Sequence, residues 1–77
     1  GGGNMRLTEC GRGARVRVGS IHTGEALVQR LRALGLFAGE YAEVLRISPR
    51  RKVWYLATAC STFAVGAEIA AQVEVFV

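Results

Sequence analysis

The stretch Arg30 to Pro49, RLRALGLFAGEYAEVLRISP, constrains the fold more than any other part of the chain, because it writes a helix, its ending and a strand into twenty residues. Leu27, Leu31 and Leu34 recur at i, i+4 and i+7 with Val28 beside them, so one apolar stripe forms while Gln29, Arg30 and Arg32 point away. This spacing predicts a helix from Gly24 to Leu34, capped by Thr23 and carrying Glu25 in its first turn, where negative charge suits the dipole. Gly35 stands just past its end, where a positive φ is needed, and Leu36 is placed to fold back on Leu31 as in a Schellman ending. Gly39 allows a second tight turn, after which the β-rich run Tyr41 to Ile47 begins. Helix and strand are thus joined by a short connection of fixed geometry.

The rest of the chain reads as short strands. From Ala14 to Ile21, Val16 and Val18 alternate with Arg15 and Arg17, giving one dry and one wet face. In the strand Glu40 to Ser48 the apolar residues Val44, Leu45 and Ile47 cannot share a face without a bulge. A turn at Pro49 to Lys52 leads to a strand Val53 to Ala57, in which the adjacent Trp54 and Tyr55 point to opposite faces. Another follows at Thr62 to Val65, then a helical turn at Gly66 to Ala71, then a last strand in which Val73, Val75 and Val77 alternate with Glu74 and Phe76. Met5 to Cys10 is read as a lead-in, and Gly1 to Asn4 as the remnant of a tag outside the fold. The expected architecture is mainly β, a small curled antiparallel barrel of about five strands with one inserted α-helix, formed by residues 5–77 as a single domain.

Size supports one modest core, since a chain of 77 residues buries only about 60% of its unfolded surface. The apolar content of 51% is too high for disorder, and no apolar run is long enough for a membrane helix. Nine arginines and one lysine stand against six glutamates and no aspartate, a net charge of +4 that favours acidic partners. Only Arg50-Arg51-Lys52 is contiguous, and three charges at a hairpin tip are ordinarily solvated. Short barrel edges leave room for self-association.

Chemistry at a reacting centre is poorly represented. There is one histidine, His22, and Gly11-Arg12-Gly13 continues neither as a dinucleotide fingerprint nor as a P-loop. Ser20 and Ser61 have no neighbouring base pattern, so no catalytic constellation can be named. Cys10 and Cys60 lie fifty residues apart, and no two Cys or His residues have ligand-pair spacing. The expectation is no catalytic residue, no cofactor and no resident metal site, with two free thiols in a reducing cytosol. Trp54, Tyr55 and Phe63 beside the basic tip would suit a nucleic-acid-binding barrel, but no basic-aromatic RNA-binding motif accompanies them, and no nucleic acid is expected.

Arg30-Leu31, Leu34-Gly35-Leu36, Gly39, Val44-Leu45-Arg46 and Pro49 together resemble the FeoA family, small cytoplasmic partner proteins of bacterial ferrous iron transport. Upstream, Gly13-Ala14-Arg15-Val16 is similar to that family's glycine and first strand, and Glu68 to Val75 to its closing turn and last strand. Ala38 stands where the family usually has a proline, Arg50-Arg51-Lys52 where it commonly has a Gly-Asp-Pro type loop, and Gly66 and Ala67 where many relatives are basic. The resemblance implies an SH3-like barrel, a non-catalytic accessory role in ferrous iron uptake, and binding to the cytosolic GTP-binding region of the FeoB transporter at the inner face of the membrane. The partner-contacting residues expected from exposure and charge are Leu36, Phe37, Gly39, Arg50, Arg51 and Lys52. The C-terminal module of iron-dependent repressors has a similar barrel and supplies a second reading.

Overall fold

A computed structural model describes residues 4–76. Six strands form one antiparallel sheet in the order β1-β6-β2-β3-β4-β5. They are β1 (Asn4–Arg6), β2 (Arg15–Ile21), β3 (Tyr41–Ile47), β4 (Val53–Ala57), β5 (Thr62–Gly66) and β6 (Val73–Phe76). Helix α1 (Glu25–Ala33) lies between β2 and β3, and the single-turn helix α2 (Ala67–Ala70) between β5 and β6. Short 3-10 turns at Leu7–Glu9 and Pro49–Arg51 complete the chain. The strand count exceeds the five expected because the lead-in is itself a strand: Asn4, Met5 and Arg6 pair with Phe76, Val75 and Glu74. Asn4 therefore belongs to the fold, although its neighbours in sequence give no strand signal.

Alternation decides which side of each strand is dry. Val16 and Val18 on β2, Ala42 and Val44 on β3, Trp54 and Leu56 on β4, Val65 on β5 and Val73 and Val75 on β6 are buried, and with Leu7, Cys10, Leu31, Leu36 and Ala70 they make a single core. Trp54 lies inside while Tyr55 is half-exposed, as their adjacency requires. The conflict in β3 is resolved by a register shift between Val44 and Arg46, which turns Leu45 outward to 40% exposure. A second shift lies between Val18 and Ser20, where Gly19 passes under the Phe76 ring: a β-carbon there would sit 2.5 Å from that ring.

Helix α1 packs shallowly. Leu31 is buried, whereas Leu27, Val28 and Leu34 are only half-buried, so the helix lies on the barrel's margin. Its N-cap is Gly24 and not Thr23: the Gly24 carbonyl accepts the bond from the Val28 N–H at 3.0 Å, which puts Thr23 one residue too early to cap. No helix among the described residues is long and apolar enough to cross a membrane.

Candidate functional site

The corner between α1 and β3 is held from both sides. The Gly35 N–H donates to the Arg32 carbonyl and the Leu36 N–H to the Leu31 carbonyl, both at 2.9 Å, with Gly35 at φ +93°: the complete Schellman pattern. The helix's last carbonyl, that of Leu34, accepts from the hydroxyls of Thr58 at 2.6 Å and Ser61 at 2.9 Å, so the loop after β4 caps the helix. Next, the Glu40 N–H closes on the Phe37 carbonyl at 3.1 Å, a β-turn whose third residue, Gly39, has φ +94°. Gly39 and Glu40 are tied to β2 by bonds of 2.8 Å, from the Gly39 N–H to the Val18 carbonyl and from the Val18 N–H to the Glu40 carbonyl. A corner bonded at this many points presents its outward side chains in one orientation.

Of the residues expected to meet a partner, Leu36 is excluded by the structure. It is 0% exposed, because the Schellman turn drives the residue after the αL glycine back into the core. Phe37 is half-exposed, with the Arg32 guanidinium stacked 4.8 Å from its ring centroid, and Gly39 is exposed. These two remain on the surface of the fixed corner.

The basic tip lies elsewhere. It follows β3 as the corner precedes it, so the two are separated by the length of a seven-residue strand, roughly 25 Å. The sequence brings corner and tip into one motif, and the tertiary structure sends them to opposite ends of the barrel. Within the tip, Arg50 (φ 64°) and Arg51 (φ 54°) are both left-handed. This turns Arg51 back toward the body, where its guanidinium donates to the Thr8 carbonyl at 2.7 Å and covers the Trp54 ring at 5.2 Å. Trp54 in turn donates to the Cys10 carbonyl at 3.4 Å. Arg51 thus fastens the tip to the lead-in although it stays exposed like Arg50 and Lys52, and Trp54 is buried out of reach of a stacking base.

Two surface features escaped the sequence reading. Tyr41, 54% exposed, shares the outer sheet face with Arg15, which lies 5.6 Å from its ring, and Arg17 sits between Tyr41 and Phe76 in register. Alternation with the buried Ala42 and Val44 would have revealed Tyr41 as an outward residue. Around His22, the Ser20 hydroxyl lies 3.0 Å from Nε2 and donates to Glu74 at 3.3 Å, Asn4 donates to the same carboxylate at 3.1 Å, and His22 approaches it at 3.8 Å. No group of three His, Cys, Asp or Glu side chains able to hold a metal converges among the described residues. Cys10 is buried, with burial and then the neighbouring Glu9 carboxylate pushing its thiol up, and Cys60 is exposed; both are free.

The glycine corner, the following strand and the closing helical turn are the features on which the resemblance rested, and a family model described as the FeoA domain matches residues 5–76. The chain belongs to the FeoA family. Its fold is similar to the crystal structure of an iron uptake regulatory protein (FeoA), at 28% identity and a TM-score of 0.84, covering 96% of this chain and 97% of that one. It is also similar to the solution structure of the FeoA protein from Chlorobium tepidum, at 27% identity and a TM-score of 0.88, covering 95% of this chain and 70% of that one. A likeness of fold alone extends to the metal-dependent transcriptional regulator MtsR, at 21% identity and a TM-score of 0.80, covering 94% of this chain and 35% of the regulator. No curated protein matches the chain. Membership of the FeoA family implies a role in ferrous iron transport for this small SH3-like domain.

Proposed function

We propose that this FeoA-family chain is a non-catalytic cytoplasmic accessory of ferrous iron uptake, and that it docks through Phe37 and its turn onto the cytosolic region of a FeoB-type transporter. The observation that carries this reading is the Phe37 ring, half-exposed on a corner whose two glycines and backbone bonds fix its direction, with Arg32 stacked upon it. An aromatic ring with an adjoining arginine on a rigid support is a low-entropy anchor of the kind that dominates binding at interfaces. Docking alters the transporter only if the two proteins bind more tightly in one of its conformations than in another. Arg50 and Lys52, at the far end of β3, make no part of that anchor. The nucleic-acid reading is weaker because Arg51 is occupied and Trp54 is buried.

Pull-down and titration against the purified cytosolic region of the transporter, in its nucleotide-free, GDP-bound and GTP-bound states, test the proposal. Phe37→Ala should weaken binding about tenfold or more while leaving the circular dichroism spectrum and melting temperature close to those of the parent. Unchanged binding by a folded Phe37→Ala protein would remove the turn from the interface. Failure of the parent to bind in every nucleotide state, together with salt-sensitive binding to an oligonucleotide, would reverse the choice of partner.

A further inference from the structure

The two ends of the sheet are not alike. Edge strand β1 has three residues and carries Arg6, whereas edge strand β5, TFAVG, has five residues with neither charge nor proline to guard it. The register settles which backbone groups of β5 are spent. The Thr58 N–H donates to the Ser61 carbonyl at 2.9 Å and the Ala67 N–H to the Lys52 carbonyl at 2.8 Å. With Leu56 opposite Phe63 and Trp54 opposite Val65, bonded pairs in the β4–β5 ladder therefore fall at Phe63 and Val65. Thr62, Ala64 and Gly66 form the alternate set, whose N–H and C=O groups face away from β4, and all three residues are exposed. The Gly66 carbonyl is engaged as N-cap of α2, so the outward inventory is both groups of Thr62, both of Ala64 and the Gly66 N–H.

We infer that β5 is a self-association edge, pairing antiparallel with β5 of a second copy about a two-fold axis at Ala64. In that register each Ala64 N–H donates to the other copy's Ala64 carbonyl, and each Gly66 N–H donates to the other copy's Thr62 carbonyl. The available donors and acceptors match themselves without remainder except for the Thr62 N–H. An isologous contact of this kind closes at two subunits and extends no further. Side chains permit it: on the outer face threonine meets glycine and alanine meets alanine across the seam, while on the other face Phe63 meets the second copy's Val65. Charge favours the same occupant. Arg51, Lys52 and Glu68 cluster beside Gly66, while the other end of the strand is approached by the uncharged run Thr58-Ala59-Cys60-Ser61. The two-fold axis sets the charged end of each copy against the neutral end of the other, so no like charges meet directly. The net charge of +4 on each copy still opposes approach, and salt should strengthen the association by screening it.

Sedimentation equilibrium of the full chain, from about ten micromolar to about one millimolar, combined with amide exchange measured by NMR, tests the pairing. The expected result is a mass that rises toward the dimer with concentration and with salt, while the Ala64 and Gly66 amides gain protection in parallel. Ala64→Pro removes an outward N–H without breaking any β4 bond and should weaken association about tenfold or more with the fold retained. Should that variant unfold, Ala64→Lys supplies the missing charge guard and should have the same effect. A parent that stays monomeric throughout overturns the inference, as does a dimer indifferent to both variants. Protection of the Ala64 amide only when the transporter's cytosolic region is added would give the edge to that protein instead.

Discussion

The Leu36 N–H donates to the Leu31 carbonyl at 2.9 Å across Gly35, and this one bond turns the chain from helix into barrel. It requires Gly35 at φ +93°, and a β-carbon there would also collide with the Thr58 hydroxyl that caps the helix. Left-handed backbone costs a non-glycine residue about 1–2 kcal/mol before any clash. Gly35→Ala should therefore lose about 2 kcal/mol or more. Thermal denaturation checks this, and a domain of this size should melt about 10 °C lower.

Leu36 and Phe37 are adjacent and should respond oppositely. Leu36 is wholly buried in the core beside Leu31, so Leu36→Ala leaves a cavity and should cost about 2–5 kcal/mol by urea denaturation. Phe37→Ala, at a half-exposed site, should cost under about 1 kcal/mol. A large loss for Phe37 and a small one for Leu36 would mean that the corner faces the other way.

Arg50 holds φ 64° in a tip where no glycine was supplied. Arg50→Gly relieves that conformation at the expense of a more flexible unfolded chain, and the balance should be a gain of about 0.5 kcal/mol. Arg51→Ala at the next position should go the other way by about 1 kcal/mol, because it removes both the bond to the Thr8 carbonyl and the cover over Trp54. Paired melting curves separate the two effects.

Cys10 gives the protein an alkaline dependence. Its thiol is raised above the ordinary 9.0 by burial and then by Glu9, whereas the unfolded thiol ionises near 9.0. Above that pH the unfolded state holds fewer protons than the folded one, so the contribution is fully present below about pH 9 and is lost as pH rises toward the folded value. Melting temperatures of the parent should fall more steeply above about pH 9 than those of Cys10→Ser. A thiol reagent at neutral pH should modify Cys60 alone until the protein is unfolded.

How far sequence reaches is visible in single residues. Val16, Val18, Val73 and Val75 could be placed inside from alternation, and Gly35 and Gly39 in their turns from the conformations only glycine adopts readily, because each of these signals is local. The strand at Asn4–Arg6 was not legible: its three residues have no period of their own and become a strand only through Glu74, Val75 and Phe76, some seventy positions away. The same is true of Arg51, whose exposed-looking charge is committed to Thr8, and of the candidate surface itself. Corner and tip flank one strand in the sequence, yet that strand's extended length holds them apart. Sequence by itself determined the helix, its glycine corner, five of the strands and the family, since periodicity and turn chemistry act over a few residues. Tertiary structure alone decided that Asn4–Arg6 form a strand, that Arg51 turns back onto Thr8, and that β5 is left as an open edge, because strand pairing and long-range bonds depend on groups that meet only when the sheet has formed.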